Sequence, residues 1–168
     1  MIFGRVKQFF QALTAKVTPD DGKYLEKHLN TDEQKLFFAM STIDQSHCLK
    51  TAYRIERLVI DGKTGVDKEF LIRCALLHDI GRVDGDLTLT GKIFAVLVTG
   101  IFPQFARNLE LKGNKWIYIY RHHAEIGGRK LQKLGLFREA KIIAKHHSPP
   151  SPSDPYELKL LRLADEAS

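Results

Sequence analysis

Cysteine is scarce: the chain of 168 residues has two, Cys48 and Cys74. Both fall inside apolar helical patterns and not in a Cys-x-x-Cys pair. That excludes a disulfide framework and fits small buried thiols in a reducing compartment. A long apolar run is also missing, since the longest, Ile93 to Ala106, is interrupted by Gly100 and Pro103 and falls short of the ~20 residues needed to span a bilayer. The opening stretch, Met1 to Val17, carries Arg5, Lys7 and Lys16 within any apolar segment, which does not fit a secretory signal. A cytoplasmic protein without a transmembrane segment is expected. No convincing strand pattern, internal repeat or low-complexity tract is visible, so the expected fold is all-α.

What is present suits one domain with a proper hydrophobic core. The 26 Lys and Arg against 20 Asp and Glu leave a charge of +6, which attracts phosphates, nucleotides or anionic lipid heads without selecting among them. Ile2, Phe3, Val6, Phe9, Phe10, Leu13 and Val17 recur at helical spacing. Residues 1–30 are therefore expected to hold an amphipathic helix packed on the main domain, residues 31–168. The other reading of this stripe is a helix meeting a partner or a membrane face, and a homo-oligomer is compatible with it. Thr18 to Gly22 reads as a turn, followed by a short helix from Tyr24 to Leu29. Thr31-Asp32-Glu33-Gln34 has the form of a capping box, and a second helix is expected from about Thr42 to Ile60. A third starts at Val66 or Asp67 and ends in His78-Asp79. Arg82 to Asp86 follows as a polar turn, in which Asp84 and Asp86 are solvated carboxylates or cation ligands. Leu87 to Leu111 suggests one or two short helices. A further helix runs from Trp116 to a glycine cap at Gly135, another from Phe137 to Lys145, and a last one begins at Asp154-Pro155.

The histidines carry the chemical signal. Six of the seven lie at helix ends or on core faces, and only His28 reads as an ordinary surface residue. His78-Asp79 ends the apolar run Cys74 to Leu77, and Gly81 breaks the helix after it. A buried imidazole and carboxylate need partners, and a metal ion is the expected one. His47, His78, Asp79 and Asp165 could surround one ion. His123 and His146 could hold a second, bridged to the first by the two oxygens of Asp79. Imidazole and carboxylate without thiolate favour Mn, Fe, Co or Ni over a structural zinc, while a catalytic Zn remains open. One or two divalent first-row ions are thus expected.

Ala75-Leu76-Leu77-His78-Asp79-Ile80-Gly81-Arg82, preceded by His47 and followed by Asp165, resembles the signature of the HD superfamily of metal-dependent phosphohydrolases. His123-Ala124-Glu125-Ile126-Gly127 and Ala144-Lys145-His146-His147 resemble the further motifs of its two-metal members. Leu36 to His47 is similar to the corresponding stretch of uncharacterised bacterial HD-domain proteins. The likeness spans about Gln45 to Asp165 and implies an HD helical bundle that hydrolyses a small phosphorylated substrate, nucleotide-like, with metal-activated water. Asp79, Arg82 and His147 are the catalytic candidates: Arg82 as a charge-assisted phosphate contact, and His147 as a second ligand, a general acid or a hydrogen-bonding neighbour. His122 reads as bland. Ser148-Pro149-Pro150 stands where the cyclic-di-GMP phosphodiesterase branch has Gly-Tyr-Pro. Ile43 stands where three-metal members have an acidic ligand, which favours two metals over three. Arg82-Val83-Asp84 does not match the Glu-Asp pair of the alarmone hydrolases, and the chain is too short for the large deoxynucleotide triphosphohydrolases. The competing class is a nucleotide-sensing or partner-binding HD module without turnover. Nucleic acid is disfavoured, because the basic residues are scattered and no aromatic ladder is visible.

Overall fold

Seven of the ten residues of one helix, Lys68–Leu77, are buried, and the other elements are arranged around it. A helix that is apolar on nearly all sides must be covered on nearly all sides. The computed structural model describes residues 17–59, 65–85 and 89–168. Among these, nine α-helices follow one another: α1 (Pro19–His28), α2 (Thr31–Phe38), α3 (Thr42–Leu58), α4 (Lys68–Leu77), α5 (Leu89–Ile101), α6 (Pro103–Leu111), α7 (Lys115–Lys133), α8 (Phe137–Ile143) and α9 (Tyr156–Glu166). A 3-10 turn, Ile80–Gly85, follows α4. No strand occurs among the described residues, as the all-α reading requires. The expected helix over residues 2–17 lies outside them, apart from Val17.

The main core joins α1, α2, α3, α4, α8 and α9 through Leu25, Phe37, Ile55, Leu71, Leu76, Ile143 and Leu161 among others. A smaller core, Ala95, Ala106 and Ile117, joins α5, α6 and the start of α7. Local signals set most of the boundaries. Ser41 and Asp67 cap α3 and α4. Gly135, at φ +77°, closes α7 with a bond from Leu136 N to Leu131 O at 3.0 Å, the glycine cap expected from sequence.

Four local expectations need correction. Thr18 to Gly22 is the start of α1 and not a free turn: Thr18 and Asp21 exchange capping-box bonds around Pro19 in the first turn. The box that starts α2 is Asn30 with Glu33, one residue before the Thr31 frame, because the Asn30 side chain accepts from both Asp32 N and Glu33 N. Asp154 does not cap α9, whose N-cap is Pro155. Its carboxylate instead accepts from Ser151 N and from Arg162. His28 is not a surface residue either: it is buried, 2.7 Å from Glu69 Oε2 through Nδ1. The lysines and glutamates around it in α1 hide a face that is covered by α4.

The 3-10 turn packs closely against α7, and the contact explains Gly81 better than helix breaking does. A Cβ on Gly81 would overlap the His123 carbonyl oxygen and lie 2.7 Å from Gly127 N. Both backbones approach at glycine, which sets the spacing between Asp79 and His123. Replacing Gly81 by Ala forces these segments apart. The expected outcome is a loss of about 1–3 kcal/mol of stability, read as a lower urea midpoint with unchanged slope.

Candidate metal centre

Five segments deliver seven side chains to one place. His47 comes from α3, His78 and Asp79 from the end of α4, His123 from α7, His146 and His147 from the turn after α8, and Asp165 from α9. The expected helix to Lys145 ends at Ile143, and the following turn presents both histidines. His78, Asp79, His123 and His146 are buried, Asp79 with no exposed surface at all.

The histidines are oriented from behind. His78 Nδ1 lies 2.8 Å from Ala75 O, His123 Nδ1 2.8 Å from Tyr120 O, and His146 Nδ1 2.7 Å from Ile143 O. Each ring thus donates Nδ1–H to the carbonyl three residues earlier, which fixes the tautomer and turns Nε2 toward the centre. Carbonyls at a helix end lack intrahelical partners, so the last turns of α4 and α8 offer such acceptors.

Asp79 divides the cluster. Its Oδ2 is 3.6 Å from His78 Nε2 and 4.0 Å from His47 Nε2, while Oδ1 is 3.2 Å from His123 Nε2 and 4.0 Å from His146 Nε2. Asp165 Oδ1 completes the first side, 2.8 Å from His47 Nε2 and 3.5 Å from His78 Nε2. Possible ligand atoms of His47, His78 and Asp79 lie within 4.8 Å of one another, as do those of Asp79, His123, His146 and His147. His78 Nε2 and His146 Nε2 are buried without a hydrogen-bond partner, facing the Asp79 oxygens that Arg82 Nη1 and His123 Nε2 approach at 2.9 and 3.2 Å. Such groups cost about 1–3 kcal/mol or more each when left unpaired. A divalent cation would satisfy them, and the donor set of imidazole and carboxylate oxygen suits a first-row ion.

The electrostatics agree. Burial alone would raise the Asp79 pKa, but Arg82 and His78 hold it well below the carboxylate range. Burial would lower the His78 pKa, but Asp79, Cys48 and Asp165 hold it well above the usual imidazole value. The charge that these two carboxylates fix on His78 is the charge that a cation would supply. On the other side, burial and the neighbouring His147 and His78 push His146 well down. Removal of the ring from water and the nearby His123 push His147 down to about 4, although its outer edge is open.

Arg82 is not a solvated residue after a helix end. Its Nη1 lies 2.9 Å from Asp79 Oδ2 and 3.3 Å from Asp44 Oδ1, and its Nη2 is 3.5 Å from His123 Nε2. Asp44 is the residue that sequence reading missed. It is buried, and its Oδ2 accepts from Ser41 Oγ at 2.6 Å. The Ser41-x-x-Asp44 spacing marks a helix start in sequence, but nothing local marks Asp44 as the partner of a residue 38 positions away. His122 stands apart from the centre, paired with Glu110 and Glu125. The side chains of Asp84 and Asp86 are outside the described residues.

The profile of the HD domain family matches residues 45–168. The chain belongs to the HD domain family. Neither curated proteins nor solved structures give a significant match.

These shifts fix the pH response of the chelated protein. Between pH 6.5 and 4 the unfolded chain protonates His146 and His147 before the folded chain does, so stability falls as pH falls. Above 6.5 the folded chain keeps the His78 proton that the unfolded chain releases, so stability falls as pH rises. The urea midpoint of chelated protein should therefore peak near pH ~6.5, and a divalent first-row ion should raise it by mass action.

Proposed function

We propose that this protein is a metal-dependent phosphohydrolase acting on a nucleotide or related small phosphate ester. His47, His78, Asp79 and Asp165 would hold one divalent ion, and His123, His146 and His147, with the second oxygen of Asp79, the other. The observation that carries this reading is the division of Asp79: one buried carboxylate turns Oδ2 to His47 and His78 and Oδ1 to His123 and His146. When bound, such ions lower the pKa of coordinated water toward neutrality, to roughly 7 for a catalytic zinc, and neutralise phosphate oxygens.

The remaining roles fall to this chain's own groups. Arg82 stays charged, because Asp79 and Asp44 outweigh burial and raise its pKa further. It would lend a fixed positive charge beside the reacting phosphate. Asp44 positions it. The low pKa of His147 keeps its lone pair free at neutral pH, which supports a ligand or proton-accepting role over that of a general acid. The locked Nδ1–H tautomers of His78, His123 and His146 keep their Nε2 atoms directed inward without further adjustment.

Metal analysis of purified protein should find two first-row ions per chain. Asp79→Asn should leave at most one and abolish turnover in a phosphomonoester and phosphodiester screen, with the helical circular dichroism retained. Metal bound without any turnover in that screen would leave a sensing module, and no metal even after reconstitution would end the proposal.

A milder substitution isolates the support of Arg82. Asp44→Asn should lower kcat/KM about 10–100-fold with the metal content kept, and Asp44→Glu should recover part of the loss. Equal losses in both variants, accompanied by a lower urea midpoint, would indicate a packing role alone.

A further inference from the structure

The smaller core leaves one side of the molecule apolar. Ile93, Leu97 and Ile101 recur every four residues along α5 and are all exposed, and Phe102 and Phe105 continue the surface around the corner into α6. Ile101, Phe102 and Phe105 are 50%, 60% and 54% exposed. Trp116 of α7 is also exposed and stands against Phe94 of α5, with ring centroids 6.2 Å apart. An apolar surface of this kind marks a site of interaction.

Charge identifies the occupant. Residues 87–124 contain Lys92, Arg107, Lys112, Lys115 and Arg121 against a single acid, Glu110, and that acid is already paired with Arg121 and His122. Residues 1–16 combine an apolar stripe with Arg5, Lys7 and Lys16 and contain no acid. The chain's net charge of +6 is thus concentrated in these two stretches, and the rest is close to neutral. A second copy of the chain would bring two such positive faces together, which is unfavourable. An anionic bilayer offers what both features need: an apolar interior for the phenylalanines and phosphate heads for the cations.

We propose that the α5–α6 corner docks this protein on the surface of an anionic phospholipid bilayer. The phenylalanines enter the acyl boundary, and Lys112, the C-cap of α6 two turns beyond Phe105, reaches back to the headgroups. Trp116 sits at the interface, where indole rings are favoured. α5 has 13 residues, about 20 Å of helix, too short to span, and no described helix is long and apolar enough to cross a membrane. The docking is therefore interfacial.

Co-sedimentation with vesicles tests this. The full chain should pellet with vesicles of phosphatidylcholine and phosphatidylglycerol in equal parts, much less with phosphatidylcholine alone, and less as salt rises. Phe102→Asp with Phe105→Asp should lower the partition coefficient by roughly tenfold or more for each residue. Lys112→Glu with Lys115→Glu should lower it by about fivefold or more for each. Circular dichroism should match the wild type throughout, since these side chains are exposed. Absence of binding to the anionic vesicles, or binding unchanged in the phenylalanine variant, overturns the proposal. So does a dimer in light scattering that the phenylalanine variant dissolves, which would make the face a contact between copies.

Discussion

Asp79 sets the terms for this structure. An ionised carboxylate with no exposed surface carries a desolvation penalty of several kcal/mol unless it is compensated. Compensation here comes from Arg82 at one oxygen and from imidazoles around both. Those partners arrive from α3, α4, the 3-10 turn, α7 and the turn after α8, so five segments meet at one charge. Removing one partner leaves the rest buried and unpaired, and such networks respond as units more than as sums of pairs.

The two halves of the centre are supported differently. His47, His78 and Asp165 stand on α3, α4 and α9, which share the main core. Their positions follow from ordinary side-chain packing around the all-apolar α4. His123 stands on α7, which meets the 3-10 turn through backbone contact at Gly81 and Gly127. At Gly81 the nearest atoms across that contact are all main-chain ones, so the approach of Asp79 to His123 is limited by backbone and not by a rotamer. His123 is therefore held by backbone exclusion, while His146, after α8, shares the hydrophobic support of the first half.

Much of this was legible in the sequence because the chemistry is concentrated in short strings. His78-Asp79 at the end of an apolar run, and His146-His147 before two prolines, announce helix ends bearing candidate ligands, and the helical periods of α3 and α7 carry His47 and His123 inward. The role of Gly81 was misread, since a close approach to α7 is a tertiary fact and a helix stop is a local one. Asp44 was passed over for the same reason: its capping spacing is local, and its pairing with Arg82 joins residues far apart in sequence. His28 was judged by its charged neighbours in α1, whose polar face conceals a buried one. Arg82 reads from sequence only as a cation near the site, because a cation after a helix end has no marker that separates solvation from pairing with Asp44 and Asp79.

α7 belongs to both regions of the molecule. Its first turns pack Ile117 into the smaller core and place Trp116 beside α5, and two turns later His123 faces Asp79. Along its 19 residues the backbone contact with Gly81 lies directly behind His123, so close packing fixes that side of the helix. The α5–α6 corner is therefore joined through α7 to the His123 side of the centre, whereas the His47 side stands in the larger core. The separation of an apolar, basic lobe from the charge-compensated interior thus places any surface event on the same helix as the more exposed half of the centre, where His147 opens to solvent.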